Sequence, residues 1–118
     1  MVEGAVVAAQ ERSGGYRLYK IVHVDDFPDP IGYEYHFIVY SPKGTSLEDA
    51  AKLWQTGAVH IELDHIEVRW VDFMHRDHRV IRVEKVTDAE LAPYRRARRM
   101  APLPAGSAVG GPKPPASN

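Results

Sequence analysis

The chain contains no cysteine. Disulfide bonds, thiolate metal sites and cysteine nucleophiles are therefore excluded. It also has no apolar run near the roughly 20 residues that a membrane-spanning helix requires. The first residues carry an acid before their short apolar patch, where a signal peptide would carry a basic segment. We therefore expect a soluble protein of the cytoplasm or of the interior of a virus particle.

Motifs for covalent catalysis and phosphate binding are missing as well. No serine stands in a G-x-S-x-G elbow, and the Gly14-Gly15 pair lacks the helix and lysine of a phosphate loop. Three aspartates cluster within residues 25–30, but the spacing and distal glutamate of a calcium loop are absent, so we interpret them as turn residues. These absences predict a protein that is not an enzyme and that needs no cofactor.

Acidic residues are absent after Glu90. The 118 residues have a formal net charge of -1, yet residues 1–94 hold 10 basic and 16 acidic residues, and residues 95–118 hold five basic ones. An acidic body with a basic end favours head-to-tail contact between copies, because fields of opposite sign steer association. The alternative is that these arginines only complement the negative end of a helix dipole.

Two alternating segments, residues 16–24 and 33–40, predict β-strands. A helix should begin after Ser46, because Asp49 stands three residues later as in a capping box. The longest β-branched and aromatic segment, residues 59–86, predicts one long antiparallel hairpin with its turn at residues 75–78. Its apolar phase slips at Asp64-His65, which predicts a β-bulge there.

The two ends of the chain differ in composition. Residues 1–15 end in a Ser-Gly-Gly sequence and predict an arm, although its small apolar residues could add an edge strand. A second capping box at residues 87–90 predicts a helix that Pro93 should break or restart. Residues 101–118 are rich in Pro, Gly, Ala and Ser and predict a tail.

These elements predict an α+β fold. We expect a four-stranded, mostly antiparallel sheet in the order β-β-α-β-β-α, with one helix packed on a face and flexible arms at both ends. The predicted divisions are an arm at 1–15, a domain at 16–100 and a Pro/Gly-rich tail at 101–118. No stretch resembles a family closely enough to name one.

Extended arms and separated charge favour a non-enzymatic structural subunit of a larger multi-copy assembly, with a virus particle as one candidate. Its partners would be protein subunits of the same or a different kind, bound through the terminal arms. We predict that the contact lies in the tail at 101–118 and at the basic end of the last helix, in Tyr94, Arg95, Arg96, Arg98, Arg99 and Met100.

The first alternative is a metal-binding module or a metal-dependent enzyme. Residues two apart on a strand share a face, so His60 with Glu62 could supply two ligands and His78 a third. Other candidates with the same chemistry are His65 with Glu67, and a third ligand from His36 or His75. The H-x-E pattern also suits an ordinary surface strand.

The second alternative is a binder of single-stranded nucleic acid. Tyr33 and Tyr35 lie on one face of a predicted strand, and aromatic strands near basic residues can stack on bases. The ribonucleoprotein signature is absent, and residues 1–94 are acidic, so both features disfavour this alternative.

Overall fold

The computed structural model describes residues 1–100, which form an α+β fold around one antiparallel sheet. The sheet has five strands where the sequence predicted four, and their order is β4-β3-β2-β1-β5. No helix in the described part of the chain is long and apolar enough to cross a membrane. The elements are β1 Ala5–Gln10, β2 Tyr16–Phe27, β3 Gly32–Ser41, α1 Leu47–Gln55, β4 His60–Arg69, α2 Trp70–Phe73, β5 His78–Val83 and α3 Asp88–Met100.

The additional strand is β1, which lies between β2 and β5. Residues Ala5–Gln10 are therefore not a flexible arm; the strand that the sequence allowed there forms, but inside the sheet and not at its edge. Successive side chains of β1 point to opposite faces of the sheet: Val7 and Ala9 belong to one apolar cluster, and Val6 and Ala8 belong to the other. All four are fully buried, and such a continuous apolar run is typical of a strand that is covered on both faces. The predicted tail at 101–118 lies outside the described residues.

The predicted hairpin over residues 59–86 is also wrong. β4 pairs with β3, and β5 pairs with β1, so the two predicted hairpin arms lie at opposite edges of the sheet. The connection between them contains α2, whose Phe73 is buried. An alternating segment shows that a strand forms, but it does not show which strand will be its partner.

The β-bulge predicted at Asp64-His65 is confirmed. Phe37 of β3 lies opposite Ile66 of β4, and Val39 lies opposite Leu63. Two steps along β3 therefore correspond to three steps along β4, which leaves one additional residue in the bulged strand. The register shifts once more between Ile61 and Leu63 of the same strand.

The sheet separates two apolar clusters. One cluster contains Tyr19, Phe37 and Phe73, with the Phe37 and Phe73 ring centroids 5.0 Å apart. The other cluster lies under α1 and α3 and includes Ile38 and Tyr40. Both sheet faces are thus partly covered, and the two long helices share one face.

Both predicted helix caps form, but only the capping box at Thr87 is reciprocal. The Thr87 backbone N–H donates to Glu90 Oε1, whereas the Asp49 carboxylate accepts from the Thr45 backbone N–H. The Asp49 backbone N–H donates to Ser46 Oγ, and the Glu90 backbone N–H donates to Thr87 Oγ1. Pro93 lies inside α3, so the helix is present on both sides of the proline and the predicted break or restart does not occur. The helix continues because residues on both sides of the proline, Leu91 and Tyr94, pack against the same apolar cluster.

Candidate functional site

The outer edge of β4 is acidic and exposed. Its strand carries three acids and one arginine, and Glu62 and Asp64 have half or more of their side chains exposed. Ile61 and Leu63 alternate with these acids and are 54% and 50% exposed. We call β4 the acidic edge; within residues 1–100, no strand pairs with its outer side.

The outer edge of β5 has the opposite charge. Arg79 and Arg82 are its charged residues, and both side chains are more than half exposed. Arg79 pairs with the exposed Glu48, and Arg82 pairs with Glu84, which is 30% exposed. Such ion pairs contribute little because water competes for the charges. Val80 and Val83 are 42% and 58% exposed. We call β5 the basic edge; its outer side likewise lacks a partner strand in the described part of the chain.

A second candidate site is a cluster of histidines and carboxylates beneath α3. His36 of β3 is buried, and both of its ring nitrogens have partners. His36 Nε2 lies 2.8 Å from Asp25 Oδ2 on β2, and His36 Nδ1 lies 2.9 Å from His65 Nε2 on β4. A carboxylate accepts only, so in neutral His36 the proton is on Nε2 and Nδ1 accepts from His65.

Asp25 is the most strongly perturbed carboxyl of this cluster. Burial alone would raise its pKa, but hydrogen bonds from His23 and His36 and the charge of Arg98 outweigh that effect. They hold the pKa of Asp25 well below its ordinary value. Burial and the neighbouring His36 lower the pKa of His65. The cluster therefore contains a carboxylate that stays ionised and a histidine that favours its neutral form.

The predicted contact residues of α3 divide into two groups. Tyr94 stacks on His23, with centroids 4.5 Å apart, and burial raises the pKa of Tyr94 to about 12. Arg98 donates to Asp25 Oδ2. These two side chains face the sheet, whereas four are exposed: Arg95, Arg96, Arg99 and Met100. Of these, Arg95 and Arg96 form exposed ion pairs with Asp88 and Asp64, each at 3.8 Å.

The predicted metal ligands are not brought together. His60 and Glu62 lie on the acidic edge, while His78 lies on the basic edge at the other side of the sheet. His75 lies in the exposed connection between α2 and β5. The structure instead brings together Asp25, His36 and Glu67, each with one donor atom within 4.8 Å of the others.

Sequence reasoning named His36, His65 and Glu67 as metal-ligand candidates but missed Asp25, which it placed in a turn. The signal for Asp25 was its position directly after an alternating strand, because continued alternation would have extended β2 through it. Pairing of β2 with β3 then places Asp25 near His36.

The tyrosines proposed for nucleic-acid stacking do not form an exposed platform. Tyr35 is 2% exposed and belongs to the cluster around Phe37, while Tyr33 is 45% exposed. Tyr94 and α3 lie with the cluster on the other sheet face. The arginines and Tyr35 are therefore on opposite sides of the sheet.

Comparison of the chain with protein-family models, with curated proteins and with solved structures finds no match.

Proposed function

We propose that the chain is a non-enzymatic structural subunit that assembles with copies of itself through the two edges of its sheet. The acidic edge of one copy would lie against the basic edge of the next. The observation that carries this proposal is the opposite charge of the two exposed edges. The contact differs from the sequence prediction, in which the terminal arms made it.

Charge selects which edges can pair. An unpaired edge presents free backbone N–H and C=O groups, which can form hydrogen bonds with another strand. Pairing of two acidic edges places like charges together, and pairing of two basic edges does the same, so both combinations are disfavoured. Acidic-to-basic pairing brings Glu62 and Asp64 near Arg79 and Arg82, and therefore favours head-to-tail addition.

The exposed apolar side chains would add a further contribution. Ile61 and Leu63 on the acidic edge, and Val80 and Val83 on the basic edge, are each between 42% and 58% exposed. Covering such side chains removes apolar surface from water, at about 25 cal/mol for each Å². The apolar contacts would supply affinity, while the charges would supply the choice of partner edge.

The strand order also determines the geometry of the contact. Every neighbouring pair in the sheet is antiparallel, so the first and fifth strands, β4 and β5, run in the same direction. A copy added by simple continuation of the sheet would therefore pair β5 with β4 in parallel. Such a heterologous contact produces a ring if the rotation closes and a filament if it does not.

Sedimentation velocity of the full-length chain at low salt tests the proposal. Two reversal variants are used: Glu62→Lys with Asp64→Lys on the acidic edge, and Arg79→Glu with Arg82→Glu on the basic edge. Each should abolish self-association, because each leaves a protein whose two edges have the same charge. A mixture of the two variants should associate again, since one then has two basic edges and the other two acidic edges.

The control reverses two exposed basic residues away from both edges, Arg12→Glu with Lys52→Glu, and should assemble like the wild type. A monomeric wild type at high concentration and low salt would overturn the proposal. So would two reversal variants that fail to associate when mixed, because restored charge complementarity is the expected cause of assembly.

A further inference from the structure

The three donor atoms that lie together beneath α3 come from three adjacent strands. Asp25 is on β2, His36 is on β3 and Glu67 is on β4, so the pairing of the sheet holds their backbones in place. His36 Nε2 lies 2.8 Å from Asp25 Oδ2 and 3.6 Å from Glu67 Oε2. Donor atoms that share a tetrahedral zinc ion are about 3.3 Å apart, because each bond is about 2.0–2.1 Å long. The first distance is about 0.5 Å shorter than that value and the second about 0.3 Å longer, so binding of an ion would require Asp25 and His36 to move slightly apart.

The surrounding residues support coordination by His36. To bind a metal through Nε2, His36 would have to change from the tautomer described above and move its proton from Nε2 to Nδ1. His65 Nε2 lies 2.9 Å from that nitrogen and can accept the proton's hydrogen bond. His23 Nε2 lies 3.0 Å from the other oxygen of Asp25, so that carboxylate also has an outer partner. Such outer hydrogen bonds orient the ligands of protein metal sites.

The donor chemistry selects the kind of ion. One imidazole nitrogen with two carboxylate oxygens suits a divalent ion of the zinc class, whereas calcium and magnesium prefer oxygen donors alone. Glu67 is about half exposed, which gives the ion a route from solvent. The buried ligands Asp25 and His36 have little solvent access of their own.

Arg98 opposes metal binding. Its guanidinium donates to Asp25 Oδ2, the carboxylate oxygen that also lies 2.8 Å from His36 Nε2. The Arg98 guanidinium and a metal ion are both positively charged, so they would compete for this oxygen. We propose that Asp25, His36 and Glu67 form a binding site for one divalent ion of the zinc class, in competition with Arg98. This site is separate from the two edges and does not depend on the proposed assembly.

Isothermal titration of the chelator-treated full-length chain with zinc tests the site. Wild type should bind one ion per chain. Glu67→Gln removes an exposed ligand without disturbing the core and should weaken binding at least tenfold. Arg98→Gln removes the competing cation and should strengthen zinc binding about tenfold. If the cluster only stabilised the fold, this substitution would not increase the affinity for zinc.

The matched control is His60→Ala with Glu62→Gln, which removes an exposed H-x-E pair from the same strand and should leave zinc affinity unchanged. In long-range proton–nitrogen NMR spectra, zinc should shift the Nε2 signal of His36 and leave that of His60 in place. Unaltered affinity in Glu67→Gln, or weaker binding in Arg98→Gln, would overturn the proposal. So would a wild type that takes up no zinc at micromolar concentration.

Discussion

The ion pair between Lys20 and Glu90 joins α3 to the sheet. Substitutions that neutralise Lys20 or Glu90 should lower the free energy of unfolding by unequal amounts. Lys20 is 3% exposed, and its Nζ donates to the Lys85 carbonyl oxygen at 2.8 Å and to both Glu90 oxygens at 3.0 and 3.1 Å. Glu90→Gln preserves the size and the hydrogen bond from the Thr87 backbone but leaves a buried ammonium without its counter-charge. Lys20→Met removes the buried charge itself.

The expected magnitudes follow from this asymmetry. Removing one partner of a fully buried pair costs about 3–5 kcal/mol, but the Glu90 side chain is 22% exposed, so we expect about 2–3 kcal/mol for Glu90→Gln. Lys20→Met should cost less than about 1 kcal/mol, because methionine fills similar volume and Glu90 can be hydrated. The double variant should resemble Lys20→Met alone.

The cost of Glu90→Gln should also depend on pH. Partial burial alone would raise the pKa of Glu90, but hydrogen bonds from Thr87 and Lys20 outweigh it and lower the pKa below its ordinary value of 4.5. A lowered carboxyl pKa contributes stability that is fully present above the unfolded-state value and is lost as the pH falls through the folded-state value. The difference between wild type and variant should therefore be constant above pH 4.5 and shrink in acid.

Urea unfolding followed by circular dichroism, repeated between neutral and acidic pH, measures these differences. The reasoning is refuted if Lys20→Met costs as much as Glu90→Gln, because the penalty would then come from lost packing and not from an isolated charge. A difference that stays constant in acid would contradict the assignment of the effect to the Glu90 carboxylate.

Two further substitutions test the packing of the sheet. Phe73→Ala should lower the free energy of unfolding by about 3–5 kcal/mol, because removal of the buried ring leaves a cavity. Met74→Ala, at the exposed neighbouring residue, should lower it by less than about 0.5 kcal/mol. Equal urea midpoints for the two variants would contradict this expectation. Gly4→Ala should destabilise the fold more than Gly14→Ala, although both glycines have positive φ, because only at position 4 would the added Cβ overlap the Glu84 carbonyl. Thermal unfolding compares the two, and equal losses would attribute the effect to backbone strain alone.

Local chemistry made several elements predictable. Ser46 and Thr87 were identified as helix caps from residue type and spacing, and both accept the expected backbone hydrogen bond. The bulge at Asp64-His65 was predicted from a phase slip alone, since side chains alternate strictly along a strand. Each of these features depends on residues close together in the chain.

The candidate sites were less predictable because they depend on strand partners. The sequence supplied the charges of β4 and β5 but placed the two strands together in a hairpin, as neighbours and not at opposite edges of the sheet. It offered His36 as a metal ligand without Asp25, since their proximity requires β2 to pair with β3 beyond the predicted end of β2. Arg98 reaches Asp25 across 73 positions of sequence.

The sequence by itself determined the α+β class, most strand and helix positions, the caps, one bulge and the separation of charge along the chain. The tertiary structure decided that β1 lies inside the sheet, that β4 and β5 are its opposite edges, and that a carboxylate, two histidines and an arginine meet beneath α3. The physical reason is that backbone hydrogen-bonding groups are the same in every strand. Strand partners are therefore chosen by which side chains can be buried together, a property of the whole chain and not of any one segment.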